Sequence, residues 1–433
     1  MTIEVPFRRG IANRLRAARR ITDDLFALVR DEALYERPIA ERHRIVFYIG
    51  HLEAFDANLI RSTLGDVRSA DASLDKLFAF GIDPLGEDLP SDTPTDWPNP
   101  TIMRDYIDAT RSAVDSRLHR GVDGLAEAGL IFNVAIEHRL MHAETLAYMM
   151  HRLPFSAKAA GVREPDLPAT PPHRAPLAIP AGSATLGQTN GFGWDNEFPA
   201  STVVVPAFSI DACKVTNAEF ADFIRAGGYS DRELWSPANW AWLAEHRIRH
   251  PAFWVERGGD WFWRGMFAER ALPPDWPVYV SHAEASAYAR WRGGALPSEA
   301  QFHRAAYASP DGTEQAYPWG DGPPASAHGN FDFQRWDPEP VTAHPAGRSA
   351  FGVDGLLGNG WEWTATVFAP FDGFAAFSFY PGYSADFFDG SHFVIKGGSM
   401  RTASPLLRRS FRNWFQGRYP YVYAGFRCVY GPS

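Results

Sequence analysis

A stretch rich in proline and alanine, residues 154–181, separates two parts of the chain whose patterns differ. Proline fixes φ and carries no backbone N–H, so neither a helix interior nor a central strand can run through this stretch. Such composition is typical of an extended, semi-rigid linker. A chain of 433 residues is also too long for one ordinary domain. The sequence therefore predicts a domain over 1–153, a linker over 154–181 and a second domain over 182–433.

The first domain is predicted to be an antiparallel four-helix bundle, because apolar residues recur along it at spacings of three and four. A loop at about 82–100 is rich in Pro and Asp and cannot continue a helix. The four helical stretches are residues 11–31, 38–64, 101–118 and 124–153.

The second domain is predicted to be α+β with much irregular structure, because it combines short β-type runs with many glycines and most of the tryptophans. The run S-T-V-V-V-P-A-F-S-I at 201–210 is typical of strands. Two short helices are expected, one over 216–226 that opens with the N-capping residue Thr216, and one over 281–292.

Charge and cysteine content narrow the class of partner. A formal net charge of -9 without a long basic run argues against nucleic acid and anionic membranes, which leaves a small-molecule ligand as the expected partner. The N-terminus has no apolar signal region and no window is apolar enough to span a membrane, so a cytoplasmic protein is expected. The two cysteines, Cys213 and Cys428, exclude a disulfide framework and a Cys-rich zinc site. Any metal would need His, Asp or Glu ligands.

The segment E-H-R-L-M-H-A-E-T-L-A-Y-M-M-H-R-L at 137–153 carries three histidines in an otherwise apolar helix. His138 and His142 stand four residues apart, so both imidazoles project from one face and can reach one ion. The alternative is a pair of partly exposed, solvated histidines. Glu137 and Glu144 could orient ligand imidazoles, but surface charges are the favoured interpretation for both.

A third imidazole is expected from the second helix. His51 follows a very apolar turn that contains Phe47 and Tyr48, so it should face the interior of the bundle. Three neutral imidazoles that leave adjacent positions open suit Fe(II) chemistry with oxygen, or catalytic zinc. His43 is a rival ligand, whereas His151 is expected to point off the shared face.

The second domain carries an ordered series of motifs: W-D-N-E-F-P (194–199), K-V-T-N-A-E-F (214–220), G-G-A-L-P-S-E-A-Q-F (293–302), Y-P-W-G (317–320), G-N-G-W-E-W-T (358–364), K-G-G-S (396–399) and A-G-F-R-C-V (424–429). As an ordered series, these motifs strongly resemble the formylglycine-generating-enzyme-like domain, which has a C-type-lectin-like fold.

Most of these motif residues look structural, and the tryptophans of W-E-W are expected to fill the core. Formylglycine-generating oxidases carry a reactive cysteine pair shortly before the closing G-F-R, where this chain has R-R-S-F-R-N-W-F-Q-G-R-Y. Cysteine-dependent copper chemistry is therefore not expected, and Cys428 is interpreted as a buried apolar residue. Asp and Asn in the loops at about 330–360 could ligate calcium, although such residues usually make turns.

A DinB-like bundle with one His and then H-x-x-x-H, followed by this lectin-like domain, resembles the ergothioneine-type sulfoxide synthases. That family uses O2 and a mononuclear non-haem iron, held by three histidines, to join a sulfur donor to the imidazole carbon of hercynine. The resemblance implies Fe(II) as the metal and His51, His138 and His142 as its ligands.

The resemblance also implies substrate-contacting residues in the second domain. Asn413 and Trp414 of R-N-W would contact the hercynine betaine, since an aromatic face suits a trimethylammonium group and an amide suits a carboxylate. A packed structural Trp is the alternative. F-Y-P-G-Y-S supplies Tyr380 and Tyr383, and Tyr380 is the candidate proton donor.

Three positions depart from the sulfur-using pattern. Synthases that use γ-glutamylcysteine typically place Asp directly after R-N-W and Arg four residues beyond it, where this chain has Phe415 and Tyr419. Those aromatic rings suit a sugar or another less charged donor. Where the family often has Gln before the second His of H-x-x-x-H, this chain has Met141.

The helix H-A-E-T-L-A-Y-M-M-H-R-L-P resembles the selenoneine synthase branch, which joins hercynine to a selenosugar through a selenoxide. This branch is the leading interpretation. A synthase that uses cysteine or γ-glutamylcysteine as thiol donor is the first alternative. A zinc-dependent DinB-type thiol transferase and a non-enzymatic binding protein are the alternatives from other classes.

Overall fold

The computed structural model describes residues 4–80, 89–120, 125–159, 161 and 175–431. The chain divides into two compact units, Met1–Val162 and Arg163–Ser433. Parts of the predicted 82–100 loop and of the predicted 154–181 linker lie outside the described residues. No helix among the described residues is long and apolar enough to cross a membrane.

The first unit is a helical bundle, as predicted. Its second helix, α2, packs against α3, α4 and α5, and α1 packs against α5. The helices within the described part of this unit are α1 Glu4–Phe26, α2 Ile45–Leu64, α3 Ala72–Phe80, α4 Pro100–His119 and α5 Leu125–Arg152.

All four predicted helices are present, as α1, α2, α4 and α5, and the structure adds a short fifth helix. This unpredicted helix, the nine-residue α3, opens with a side-chain cap in which Asp71 accepts the backbone N–H groups of Ser73 (2.8 Å) and Leu74 (3.1 Å). The second helix begins at Ile45 rather than near 38, because Arg44 is extended and its guanidinium group binds the Tyr35 carbonyl at 2.6 Å.

The second unit is the predicted α+β fold. Its helices are α6 Asn217–Arg225, α7 Pro237–Glu245, α8 His282–Trp291, α9 Glu299–Tyr307 and the short α10 Gly382–Ala385. Its strands are β1 Leu177–Ile179, β2 Gly182–Leu186, β3 Ser201–Val205, β4 Phe208–Ile210, β5 Trp254–Arg257, β6 Asp260–Arg264, β7 Glu269–Ala271, β8 Trp361–Val367, β9 His392–Lys396, β10 Asn413–Gln416, β11 Ala424–Gly425 and β12 Val429–Tyr430.

The strands of this unit form small sheets, of which the largest in the described residues has the order β10-β9-β8-β11. In it β8 pairs antiparallel with β9 and parallel with β11. The strand order β1-β4-β12 brings both ends of the unit together, since β1 and β12 both pair antiparallel with β4. Strand β1 lies inside the predicted 154–181 linker, so that expectation is wrong for Leu177–Ile179, whose backbone pairs with Phe208–Ile210.

The two helices predicted for this unit are confirmed as α6 and α8, each opened by a capping box at Thr216 and Ser281 respectively. Helices α7 and α9 were not predicted. Helix α9 also opens with a capping box, in which Ser298 Oγ accepts the Gln301 N–H at 3.1 Å.

The family motifs meet in the core. Trp361 and Trp363 are 1% and 0% exposed, and Cys428 is 0% exposed, which confirms the structural roles predicted for them. Arg427 forms a bidentate pair with Glu362 at 2.6 and 2.7 Å, and Lys214 Nζ lies 3.1 Å from the same carboxylate. Charged residues of three separate motifs thus tie together segments that have little regular structure.

The Asn residues of the 330–360 loops bind backbone and each other. Asn330 Nδ2 donates to Asn359 Oδ1 at 3.2 Å, and that oxygen also accepts the Glu339 N–H at 2.8 Å. These contacts are the turn-making role that the sequence favours for such residues.

Candidate functional site

Helices α2 and α5 bring three histidines to one point. One ring nitrogen from each of His51, His138 and His142 lies within 4.8 Å of the others, and this is the only such group of metal-ligating side chains found among the described residues. His138 Nε2 and His142 Nε2 are 3.1 Å apart. Two nitrogens that each lie about 2.1 Å from one ion, at ligand angles of 90–110°, are separated by roughly 3.0–3.4 Å. The spacing therefore fits shared coordination of one ion.

The orientation of the rings follows from backbone geometry. His138 and His142 are one helical turn apart on α5 and project from the same face. His51 Nδ1 lies 2.7 Å from the Phe78 carbonyl oxygen, which can only accept, so this nitrogen carries the proton. That tautomer leaves the Nε2 lone pair of His51 for a metal.

All three imidazoles are held neutral by their surroundings. Burial lowers the pKa of His51 to about 4, although the hydrogen bond to the Phe78 carbonyl opposes the shift. Burial, together with the neighbouring imidazoles, lowers the pKa of His138 and of His142 well below the usual range. A neutral imidazole is the form that donates a lone pair to a metal.

Aromatic rings from α2 pack against the three imidazoles. Phe55 stacks on His138 with ring centroids 3.5 Å apart, and Phe47 stacks on His51 at 4.8 Å. The Tyr48 ring lies 5.6 Å from that of His142. These contacts restrict the rotamers of the imidazoles and exclude water from their flanks.

The other histidines considered from the sequence lie outside this group. The Phe47 ring stacks on His43 at 3.9 Å and also on His51. His43 therefore packs against an aromatic side chain that borders the histidine group, and it is not a member of that group. His151 is fully buried near the end of α5. Glu137 and Glu144 are buried, so the interpretation of both as surface charges is wrong, because α5 packs against α1 and α2.

Sequence reasoning missed a buried ion-pair network beside the histidines. Arg139, which follows His138, donates to Glu53 Oε1 at 3.0 Å, to Asp56 Oδ2 at 2.7 Å and to the Leu52 carbonyl at 3.0 Å. His51 and His138 are thus each one residue away from a contact that holds α2 and α5 together. The sequence did contain a sign of this network, because Arg139 stands in the middle of an otherwise apolar helix.

The charge state of this network is set by competing effects. Burial by itself raises the pKa of Glu53, but Arg139 and Arg111 outweigh it and hold the pKa at about 2. Glu53 is therefore ionised at neutral pH and matches the buried guanidinium group of Arg139.

In the second unit, Trp414 lies on β10 and is half-buried, unlike the fully buried Trp363. One face of its ring stacks on Phe368 at 4.1 Å. The rings of Tyr383 and Phe387 lie 5.4 and 5.5 Å from it. The four rings form an aromatic corner of the kind that attracts a cation.

Asn413 precedes this tryptophan and is also half-buried. Its Oδ1 accepts the Trp414 backbone N–H at 2.9 Å. The group that Asn413 can offer a ligand is therefore its Nδ2 donor, which suits a carboxylate.

The two candidate tyrosines have different surroundings. Tyr383 is 9% exposed and stacks on Trp194 at 3.9 Å, so its ring serves the aromatic packing. Tyr380 is half-buried, and burial and the negative charge of Asp195 raise the pKa of its phenol. Tyr380 therefore keeps its proton across the physiological range.

Asp195, from the W-D-N-E-F-P motif, is a residue that sequence reasoning did not single out. It is buried and accepts a hydrogen bond from the Ser384 hydroxyl, and burial raises the pKa of its carboxyl group.

The remaining predicted positions are half-buried. Phe415 and Tyr419 stack nearly parallel, with an interplanar angle of 12° and centroids 5.5 Å apart. Tyr421 packs edge-on against Tyr419 at 5.3 Å. Met141 lies on α5 immediately before His142, and its carbonyl accepts the Thr145 hydroxyl at 3.3 Å.

Known proteins match both units. The DinB superfamily model matches residues 14–152, and the sulfatase-modifying factor enzyme 1-like domain matches residues 164–431. The hercynine oxygenase of Mycolicibacterium thermoresistibile is 36% identical over 354 residues, which cover 77% of this chain and 75% of that protein.

Two further relatives agree. The hercynine oxygenase of Mycolicibacterium smegmatis is 36% identical over 324 residues, which cover 70% of this chain and 72% of that protein. Ergothioneine biosynthesis protein 1 of Neurospora crassa is 28% identical and covers 93% of this chain, while this chain covers 55% of it. With both units matched in order and identities of this size over most of its length, the chain belongs to the ergothioneine-type sulfoxide synthase family, which joins a DinB-like bundle to a formylglycine-generating-enzyme-like domain.

Proposed function

We propose that this protein is a selenoneine synthase, an Fe(II)- and O2-dependent enzyme that joins the imidazole carbon of hercynine to a selenosugar. The proposed oxidative reaction is supported by the proximity of His51, His138 and His142, in a family with relatives named hercynine oxygenase. The choice of a selenium donor rests on the aromatic residues Phe415 and Tyr419 and on Met141.

The proposed reaction balances with O2 as the oxidant. The imidazole C–H bond and the Se–H bond break, and a C–Se bond forms. One oxygen atom of O2 is bound to selenium as the selenoxide, and the other leaves as water with the two hydrogens. Dioxygen thus accepts four electrons in total, and no further oxidant is required.

The neutral imidazoles of His51, His138 and His142 would hold the iron. Bound Fe(II) would supply binding and activation of O2 at positions that protein ligands leave open. The imidazole donors fit Fe(II) and Zn(II) alike, so the preference for iron rests on the family and on the need for an oxidant.

The aromatic corner around Trp414 would bind hercynine. Its trimethylammonium group suits the ring faces of Trp414 and Phe387, and its carboxylate suits the Asn413 Nδ2 donor. The half-buried position of Trp414 favours this role over purely structural packing.

Tyr380 would supply a proton through its phenolic oxygen. Its raised pKa keeps the group protonated until it is required, which suits an acid and not a base. Tyr383 would instead brace the corner through its contacts with Trp194 and Trp414.

The donor would contact Phe415 and Tyr419. A stacked aromatic pair offers apolar faces to the CH groups of a sugar ring but gives no counter-ion to the charged ends of an amino-acid thiol. The relatives named for ergothioneine biosynthesis favour the second candidate, a synthase that uses cysteine or γ-glutamylcysteine.

The test compares donors with one protein preparation. Protein purified without oxygen and loaded with Fe(II) is mixed with hercynine and selenosugar, γ-glutamylcysteine or cysteine, and oxygen uptake and product mass are measured. We expect uptake and a selenoxide-derived product with the selenosugar. Turnover of hercynine with a thiol donor but not with the selenosugar would show that the protein is a sulfoxide synthase and not a selenoneine synthase.

Oxygen dependence separates the other classes. A zinc-dependent thiol transferase would turn over without O2 and with Zn(II), and a binding protein would show no turnover with any donor. Either result would contradict the oxidative function.

A further inference from the structure

We infer that α3, the short helix absent from the sequence prediction, is the element that positions His51 for metal binding, through a close contact between Gly50 and Phe78. This inference rests on the proposed metal centre and goes beyond it, because it assigns a role to residues that contact neither metal nor substrate.

Gly50, directly before His51, is where α3 approaches α2 most closely. A Cβ atom at position 50 would lie 2.4–2.5 Å from three ring carbons of Phe78, far closer than real contacts allow. The Phe78 side chain is 0% exposed and packs against the rings of Trp97 at 6.2 Å and Tyr106 at 5.6 Å, so its movement is restricted. Only glycine permits this approach of the two helices.

The same approach places the Phe78 carbonyl 2.7 Å from His51 Nδ1. Phe78 lies in the last described turn of α3, at the end where carbonyl groups carry the negative end of the helix dipole. His51 thus caps the C-terminus of α3, and α3 in turn fixes the tautomer and the ring orientation of His51.

A second contact, one turn earlier on α3, holds the helix in place. The buried carboxylate of Asp75 accepts the Tyr106 hydroxyl at 2.8 Å and the Ser69 hydroxyl at 2.6 Å. Arg61 Nη2 lies 3.0 Å from the same carboxylate, and Asn58 Nδ2 donates to the Asp75 carbonyl at 3.2 Å. These contacts join α3 to α2 and α4, so they restrict the position of the Phe78 carbonyl relative to His51.

The first test compares two glycine-to-alanine substitutions in helices. Gly10 on α1 is exposed and a Cβ there would have nothing within 4 Å, so Gly10→Ala is the matched control. We expect Gly50→Ala to weaken Co(II) binding by about 10- to 100-fold and to alter the visible spectrum of bound Co(II), since ligand orientation is lost. Gly10→Ala should change neither quantity.

A double-mutant cycle separates a local clash from general unfolding. Phe78→Ala removes the ring that a Cβ at position 50 would meet. Adding Gly50→Ala to Phe78→Ala should therefore change Co(II) affinity by less than about 2-fold, because the two effects are not additive when they share one contact. An equal loss in both backgrounds would overturn the proposed contact.

The tautomer of His51 gives a readout that a merely structural role would not change. Nitrogen NMR of the metal-free protein should show His51 protonated at Nδ1, and Gly50→Ala should populate the other tautomer. A folded Gly50→Ala variant with unchanged tautomer and unchanged Co(II) affinity would overturn the role of α3 while leaving the metal centre intact. A wild-type protein that binds no Co(II) would instead overturn the metal centre and the role of α3 together.

Discussion

Arg139 in the bundle and Arg427 in the lectin-like unit are both 0% exposed, and each is neutralised by buried carboxylates. Arg427 faces one carboxylate, Glu362, in a bidentate pair and binds the backbone of the segments beside it. The guanidinium group of Arg139 donates to both Glu53 and Asp56, which lie in the turn of α2 that follows His51. One arginine holds irregular segments together, whereas the other directly follows the candidate ligand His138.

This difference in location lets an effect on the stability of the fold be distinguished from an effect on the metal centre. A buried ion pair costs much when one partner is removed, whatever its location. Only the pair beside the histidines should also change how tightly a metal is held.

The largest effect should come from removing a ligand. We expect His138→Ala to reduce turnover by about 1000-fold or more, because two imidazoles do not fix the ion in the required geometry. Metal content measured after gel filtration should fall with the activity. His119→Ala, on the exposed face of α4, serves as the control and should leave both unchanged. Full turnover by His138→Ala would contradict the assignment of the centre.

The next effect tests the two arginines directly. Arg139→Met and Arg427→Met should each lower stability, by about 3–5 kcal/mol where a buried carboxylate is left unpaired. The loss should be smaller for Arg427→Met, since Lys214 remains 3.1 Å from Glu362. Removing Arg139 takes the guanidinium partner from Asp56, although Arg111 stays 2.8 Å from Glu53. Urea unfolding midpoints measure this change.

Metal affinity then distinguishes the two variants. At temperatures where both stay folded, Arg139→Met should weaken Co(II) binding by about 10-fold or more, and Arg427→Met should leave it as in the wild type. Equal affinities in the two variants would mean that the Arg139 network only stabilises the bundle.

A smaller effect is expected at the aromatic corner. Trp414→Leu should raise the KM for hercynine by about 10-fold, the scale of a partly desolvated cation–aromatic contact. Steady-state kinetics at saturating donor measure it. Trp242→Leu, another half-buried tryptophan, on α7, should leave that KM unchanged.

The smallest effect concerns donor choice. The double variant F415D/Y419R restores the charges typical of synthases that use γ-glutamylcysteine. We expect a shift of relative kcat/KM toward γ-glutamylcysteine by about 3- to 10-fold, since partly exposed ion pairs contribute little. Competition between the two donors in one reaction measures the ratio, and an unchanged ratio would contradict donor contact at these positions.

Much of the bundle was predictable because its pattern is periodic. The four-residue spacing of His138 and His142 required only a helix, and His51 was placed inward by the apolar residues around it. Helix α3 was missed because nine residues give too few repeats of the apolar pattern, and the carbonyl that binds His51 is a backbone group that leaves no mark in the sequence.

The lectin-like unit was predictable mainly through its motifs. Pairs such as Arg427 with Glu362 join residues far apart in the chain, and no local pattern indicates which charges will meet. Strand β1 was read as linker because proline is frequent around it, although its three residues pair with β4. Helix α9 could have been found, since Ser298 and Gln301 form a capping box that is visible in the sequence.

The placement of the three histidines on helices distant in sequence makes an ion at this centre a cross-link between α2 and α5. An ion that binds the folded bundle and not the unfolded chain stabilises it by about 2.7 kcal/mol at a free concentration 100 times the Kd. The melting temperature of the protein should then rise with metal concentration, even when no substrate is present. Thermal melts across a series of divalent ions therefore rank the ions by how well this trio of imidazoles accommodates them, before any chemistry takes place.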